Sequence, residues 1–308
     1  MIQTEHLSKR YGKLEALVDL NLNIEQGHVF GFIGPNGAGK TTTMLILSTL
    51  LAPTEGKAYV AGYDVEKEPK AVRQSLGYMP DFFGVYDNLK ATEYLDFYAS
   101  AYGIPPAKRT SLIADLLELV NLSNKADAYV DSLSRGMKQR LGLARCLVHD
   151  PQVLILDEPA SGLDPRARIE MREILKQLRS MGKTILISSH ILPELAELCD
   201  QIGVIEKGRL IACGDVDEVS IGTRGISVMQ VKVLDQFAQA QQILTDSPYV
   251  RRLDNKGNHF RFHFTGTEAD KAQLLRRLTE AGIPVTHFGD SKENLEDVFI
   301  AITEGVVN

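Results

Sequence analysis

The hydrophobic period changes several times along the chain, and each change predicts a different kind of element. Residues 2 to 24 alternate apolar and polar around a Lys9 to Lys13 turn, which predicts a short antiparallel hairpin. Val29 to Ile33 is a continuous apolar run and reads as a buried strand, and Thr42 to Leu51 reads as a helix. Lys57 to Val60 and Gly77 to Met79 read as further short strands. From Thr92 to Val148 the spacing becomes helical, with an apolar stripe at Leu112, Ile113, Leu116, Leu117, Leu119 and Val120. Strand-like runs return at Val153 to Leu156, Thr184 to Ser188 and Ile202 to Ile205, with helices near Arg166 to Ser180 and Leu192 to Leu198. Such alternation predicts a largely parallel sheet covered on both faces, carrying a mostly helical insert over about residues 83 to 150.

A composition change near Asp215 to Gly225, with Gly214, Gly222 and Gly225, marks a boundary between domains at 1–217 and 218–308. Beyond it, strands are expected at Ile226 to Val233, Val250 to Leu253 with Phe260 to Phe264, and Ile283 to Phe288. Helices are expected at Phe237 to Leu244, Glu268 to Ala281 and Asn294 to Ile302. The order β-α-β-β-α-β fits a small α+β accessory domain.

Composition narrows the function classes. With 308 residues the chain exceeds the usual size of one domain, so two are expected. A net charge of −6 argues against a strongly basic nucleic-acid face, so no direct nucleic-acid partner is expected. No apolar run approaches the 18 or so residues that span a bilayer, and the first residues lack a secretory core, so a cytoplasmic location is expected. Cys146, Cys199 and Cys213 lack paired metal-ligand spacing and read as reduced structural thiols.

The chemistry concentrates in three segments. Gly34-Pro35-Asn36-Gly37-Ala38-Gly39-Lys40-Thr41 lies between a strand and a helix, at the spacing that cradles the phosphates of a nucleoside triphosphate. Lys40 reaches the β- and γ-phosphates in such a loop, and the Thr41 hydroxyl holds Mg²⁺. Val153 to Leu156 ends in Asp157, Glu158 and Pro159, two adjacent carboxylates at the sheet edge where ligands collect. Strand alternation would send Asp157 toward Mg²⁺ and Glu158 toward an attacking water. A solvated strand end is the plain alternative. Leu133 to Arg140 opens a helix with Ser134 as natural N-cap, an anion site in its own right, and Gly136 marks a close approach.

GPNGAGKT, LSRGMKQR, LDEP, the Ser161-Gly162-Leu163-Asp164 turn and His190, in this order and at these intervals, resemble the ATP-binding subunits of ABC transporters. The resemblance covers about residues 1 to 217. It implies a P-loop ATPase fold of α/β class, with an antiparallel β subdomain and a helical insert. It further implies ATP and Mg²⁺ as ligands, with Glu158, His190 and Lys40 catalytic. The implied nucleotide contacts are Tyr11, Gly34, Pro35, Asn36, Gly37, Ala38, Gly39, Lys40, Thr41 and Thr42, with Ser134 and Gly136 from a second copy. Tyr11 matches an adenine-stacking aromatic, although a Tyr in a turn is equally a packing residue. Asp164 matches a turn that bridges subunits. A homodimer and a separate transmembrane permease are the implied partners, with the chain peripheral on the membrane's cytoplasmic face.

Two departures stand out. Leu76-Gly77-Tyr78-Met79-Pro80-Asp81 matches a segment that normally ends in glutamine, and Asp81 replaces that metal-contacting amide with a carboxylate. Arg135 occupies a position that is usually glycine. Phe82, Phe83, Val85 and Tyr86 then form an aromatic cluster that serves either core packing or a permease groove. Asn294-Leu295-Glu296-Asp297-Val298-Phe299 is similar to the closing motif of drug-resistance-type and other ABC-2 exporter ATPases. Its plain reading is an amphipathic helix. The expected function is therefore ATP hydrolysis that drives an exporter. Rival readings are an ATPase acting on ribosomes or nucleic acid, and a sensor that binds nucleotide without hydrolysis. The first rival usually carries two nucleotide domains in one chain or long coiled-coil inserts, absent here, and the intact Glu158 opposes the second.

Overall fold

The hairpin pattern at the start of the chain folds as its alternation requires. In chain order the first elements are β1 (Ile2–Tyr11), β2 (Leu14–Ile24), β3 (Val29–Ile33), α1 (Lys40–Leu47), β4 (Glu55–Val60), β5 (Tyr63–Asp64), α2 (Pro69–Ser75) and β6 (Leu76–Met79). They are followed by α3 (Ala91–Ala101), α4 (Pro106–Leu119), α5 (Arg135–Leu147), β7 (Val153–Leu156), α6 (Pro165–Ser180), β8 (Thr184–Ser189), β9 (Gln201–Glu206) and β10 (Arg209–Asp215). The computed structural model describes residues 1–81, 88–189, 195, 197–215 and 227–290. The aromatic cluster at 82–86, His190, most of the expected 192–198 helix, the linker from 216 onward and the 294–302 segment lie outside the described residues.

β1 and β2 pair antiparallel from Ile2 opposite Ile24 to Tyr11 opposite Leu14, and β4 joins the other side of β1. Alternate residues Leu20, Leu22 and Ile24 are buried and bind this sheet, ordered β2-β1-β4-β5, to the rest of the first unit. The second sheet has the order β10-β9-β3-β8-β7-β6. β3 lies inside it, parallel to both β8 and β9, and all five of its residues are buried. Burial of each large apolar side chain there contributes about 1.5–3 kcal/mol, which fixes the strand that carries the glycine loop.

Because β6, β7, β8 and β3 run parallel, their carboxyl ends emerge at one edge. Met79 pairs with Leu156, Leu156 with Ile187, and Ile33 with Ser189. Gly34, Asp157, Ser188 and Asp81 are thereby delivered to the same rim, where an open α/β sheet binds its ligands.

Helix α5 anchors the helical insert to β6. Arg145 and the Cys146 thiol each donate to Tyr78 O at 3.2 Å, and a His149 ring nitrogen lies 3.0 Å from Leu76 O. Gly77 allows this approach, since a Cβ there would lie 2.5 Å from Cys146 O. Tyr102 stacks on His149 with ring centroids 3.8 Å apart.

Several boundaries differ from those read in the sequence. α1 begins at Lys40 and ends at Leu47 rather than running from Thr42 to Leu51, because Thr49 adopts a left-handed φ of 62°. α2 and β10 were not legible. β10 contains Gly214, one of the glycines expected to loosen the chain, and follows β9 across a two-residue turn. That turn, Lys207 and Gly208, has φ of 48° and 78°, as a type I′ hairpin requires.

Residues 1–214 and 215–308 form two compact units. The second unit runs β11 (Ser227–Val233), α7 (Phe237–Thr245), β12 (Val250–Lys256), β13 (His259–Phe264), α8 (Glu268–Glu280) and β14 (Val285–Asp290). Its sheet order β12-β13-β11-β14 is that of the ferredoxin-like split βαβ. Phe260, Phe262 and Phe264 alternate with His259, Arg261 and His263, so one face of β13 enters the core with Val231, Leu244, Leu274 and Leu278. Thr267 and Asp270 form a reciprocal capping box that starts α8.

Candidate functional site

The glycine loop is shaped by its surroundings as much as by its own sequence. It opens α1, whose N-cap Gly39 supplies no side-chain cap, so the first turn presents its N–H groups and positive dipole end to whatever occupies the loop. Gly37 and Gly39 have φ of 81° and 113°. A Cβ on Gly34 would lie 2.4 Å from Ile205 O, and one on Gly39 would lie 2.7 Å from Leu17 Cδ2 and 2.8 Å from Ala16 O. The hairpin strand β2 and the end of β9 therefore clamp the loop from behind. Gly208 N donates to Ala38 O at 2.8 Å and ties the β9–β10 turn to the same assembly.

Lys40 is buried, 6% exposed, and folds over the loop. Its ammonium donates to Gly34 O at 2.6 Å and to Pro35 O at 3.3 Å, and Glu158 Oε1 is 3.8 Å away. A compact cation with three donors can exchange these carbonyls for phosphate oxygens without moving its backbone. Thr41 is exposed at the helix start and Thr42 half-buried, whereas Thr43 is buried and spends its hydroxyl on Gly39 O.

The two carboxylates stand at the adjoining strand end. Asp157 is 1% exposed, its Oδ1 accepts from Ser188 Oγ at 2.6 Å, and its Oδ2 has no hydrogen-bond partner. An anionic oxygen left unsatisfied in a buried position needs a cation, and this fits a divalent metal. Among the described residues no group of three or more His, Cys, Asp or Glu could hold a metal by itself. That suits Mg²⁺, which takes one or two protein ligands and completes its shell with phosphates and water. Strand alternation does not separate Asp157 from Glu158 as the sequence implied. β7 ends at Leu156, and Glu158 has a left-handed φ of 50°, so a turn in the backbone sets its direction.

Asp81 is exposed beyond the end of β6, on the rim shared with Asp157. Burial pushes the Tyr78 phenol well above its usual range, with the nearby Asp157, Cys146 and Asp81 charges adding to the effect. Tyr78 is accordingly a neutral wall of this edge.

The Ser134 segment is built as a helix start. Ser134 Oγ accepts from Met137 N at 3.3 Å, and a Cβ on Gly136 would lie 3.0 Å from Ala167 Cβ on α6. Arg135 lies over the turn between β7 and α6: its guanidinium fills the space a Cβ on Gly162 would need, 2.4 Å from Arg135 Cζ. Asp164 caps α6 by accepting from Ala167 N at 2.9 Å. Tyr11 is 47% exposed at the hairpin tip, with Lys9 Nζ over its ring at 5.3 Å from the centre.

The structure thus brings together the loop, Lys40, Asp157 and Glu158. Ser134 and Gly136 lie at the start of a different helix, and His190 lies outside the described residues. The sequence reading missed Ala16, Leu17 and Gly208 behind the loop, and Ser188 between the Asp157 carboxylate and the Glu158 N–H. Two adjacent hydroxyls, Ser188 and Ser189, closing the apolar run of β8 were the available signal for Ser188.

The family profile described as "ABC transporter" matches residues 17–161, and that of the C-terminal domain of DrrA1-3-like ATP-binding proteins matches residues 214–303. The chain is 37% identical over 302 residues to a Nod factor export ATP-binding protein I from Burkholderia orbicola, covering 98% of this chain and 96% of the relative. It is 36% identical over 305 residues to the linearmycin resistance ATP-binding protein LnrL of Bacillus subtilis, covering 98% of each. Among solved structures, an ATP-binding subunit of an ABC transporter superposes with a TM-score of 0.66 at 30% identity, over 72% of this chain and 92% of that one. A dimeric bacterial ABC transporter cassette gives 0.65 at 26% identity, over 70% of this chain and 99% of that one. The glycine loop and the adjacent carboxylates Asp157 and Glu158, together with these relatives, establish that the chain belongs to the ABC transporter ATP-binding family, as an ATP-hydrolysing subunit with a DrrA1-3-like C-terminal domain.

Proposed function

We propose that this chain powers a membrane exporter as a two-fold pair of copies, held on the cytoplasmic face by a separately encoded multi-span permease. The observation that carries the reading is the convergence of Lys40, Glu158 and the unsatisfied Asp157 Oδ2 on one rim of the sheet. Lys40 exchanges its loop carbonyls for the β- and γ-phosphates of ATP, and the loop from Gly34 to Thr42 wraps the phosphates with the backbone N–H groups of its residues other than Pro35. Thr41 and Asp157 would hold Mg²⁺, with Asp81 beside them, and the metal would supply charge neutralisation on the phosphate oxygens. Glu158 accepts the proton of the water that attacks the γ-phosphorus as ADP leaves, and His190 contacts the γ-phosphate. Tyr11 stacks on adenine.

Each copy has one glycine loop and one Ser134–Gly136 segment. A head-to-tail pair completes two sites at once, with each nucleotide closed by the other copy's segment. Closure on ATP and reopening after hydrolysis supply the stroke. The names of the Burkholderia and Bacillus relatives and the dimeric cassette support this reading. No described helix is long and apolar enough to cross a membrane. Purification of the tagged chain from detergent-solubilised membranes is expected to bring down a multi-span protein that stimulates its ATPase. Recovery of the chain with ribosomes or nucleic acid instead would overturn the exporter reading.

Asp81 yields a sharper prediction. A carboxylate at this exposed rim position adds negative charge near the γ-phosphate, and an amide oxygen there coordinates Mg²⁺ without it. Asp81→Gln is expected to preserve hydrolysis in a steady-state phosphate-release assay. An abolished rate would make Asp81 a required ligand.

A further inference from the structure

We propose that Ser188 is a positioning residue of this ATPase, one hydroxyl that holds both carboxylate residues at the end of β7 in working geometry. The inference rests on the roles proposed for Asp157 and Glu158. A serine hydroxyl has one donor and two acceptor sites, and both functions are used here. It donates to Asp157 Oδ1 at 2.6 Å and accepts from Glu158 N at 2.9 Å. Ser188 is fully buried, so removing the hydroxyl takes from Asp157 Oδ1 and from the Glu158 N–H the partner they share on β8.

The first bond selects which oxygen of Asp157 is free. With Oδ1 occupied by Ser188, the unsatisfied Oδ2 is the atom left for a metal. The second bond acts on Glu158, whose φ of 50° is left-handed and disfavoured for a residue with a Cβ. Anchoring that N–H to β8 holds the turn and so aims the Glu158 side chain, which lies 3.8 Å from Lys40 Nζ. One side chain on the neighbouring strand thereby couples the direction of the metal ligand to that of the base. Groups that orient ligands in this way typically contribute about 10- to 100-fold to metal affinity or activity. Threonine keeps the donor and the acceptor on one oxygen attached to Cβ, as serine does. Ser188 also lines a cavity of about 320 Å³ with Ile187, Met171 and Leu195, which gives the extra methyl of threonine a place.

The test compares the full-length parent with Ser188→Ala, Ser188→Thr and Asp157→Asn. Affinity for a fluorescent ATP analogue is measured in EDTA and again in Mg²⁺, alongside kcat. Ser188→Ala is expected to bind the analogue in EDTA as the parent does, and to lose about 10- to 100-fold of both the Mg²⁺-dependent gain and kcat. Ser188→Thr is expected to restore both. Parental Mg²⁺ gain and kcat in Ser188→Ala would overturn the proposal, as would a threonine variant no better than alanine. Loss of binding in EDTA by both Ser188 variants would also overturn it, by showing a general structural role. Asp157→Asn separates the two levels. If it keeps the Mg²⁺ gain, the metal role of Asp157 fails and takes the positioning role with it. If it loses the gain while Ser188→Ala keeps it, only the positioning role fails.

Discussion

Glu158→Gln is expected to stop turnover while leaving ATP bound. General-base catalysis contributes about 10²- to 10⁴-fold, and glutamine is nearly isosteric but cannot accept the water's proton, so kcat should fall by that factor in a phosphate-release assay. The geometry explains why binding survives. Lys40 is held chiefly by Gly34 O and Pro35 O at 2.6 and 3.3 Å, with Glu158 Oε1 more distant at 3.8 Å, so the change leaves its main anchors in place. The Glu158 N–H to Ser188 bond is a backbone contact and also persists. Hydrolysis at the parental rate in this variant would remove Glu158 from the role of base.

Gly39→Ala is expected to abolish nucleotide binding for a reason that is visible only in the folded chain. The new Cβ would meet Leu17 Cδ2 at 2.7 Å and Ala16 O at 2.8 Å, and Ala16 O is backbone that cannot swing aside. With a φ of 113° at Gly39, alanine is strained as well as crowded. Overpacking and strain together cost about 2–4 kcal/mol of stability, and displacing a phosphate-gripping loop by about 1 Å costs on the order of 100-fold in rate. Gly37→Ala is the control. Its φ of 81° is left-handed too, but nothing lies within 4 Å of the added Cβ, so its cost should be limited to about 1–2 kcal/mol. Calorimetric ATP titration and denaturant unfolding of the two variants distinguish clash from strain; equal ATP affinity in both would contradict the clamp formed by β2.

The contrast between these two glycines shows how far the sequence could be read. Glycine spacing and the apolar strand before it announced a phosphate loop, because that signal is local: strand, turn and helix adjoin in the chain. The six elements described in the C-terminal unit were legible for the same reason, with period-two runs such as Phe260 to Phe264 separated by helical stretches. What stayed hidden depends on contacts across the chain. Leu17 and Ala16 crowd Gly39 from more than 20 residues away, and Gly208 reaches Ala38 from β9 and its turn. Ser188 binds Asp157 and Glu158 across about 30 residues, and in the sequence it is only one of two adjacent serines closing an apolar run. The left-handed turn at Glu158 also carries no composition signal, since neither Gly nor Asn marks it. Arg135 looked like a mild departure from glycine, but its guanidinium occupies the space that Gly162 leaves open.

The joint grip of two copies on each ATP is tested most directly by the solution mass of the Glu158→Gln chain, measured by sedimentation with and without Mg²⁺–ATP. Because this variant is expected to bind without hydrolysing, it should accumulate the closed form: twice the mass of one chain with Mg²⁺–ATP, and a single chain with ADP. A single-chain mass at saturating Mg²⁺–ATP, with binding verified in the same sample, would contradict the shared site and leave Ser134 and Gly136 without a nucleotide to close.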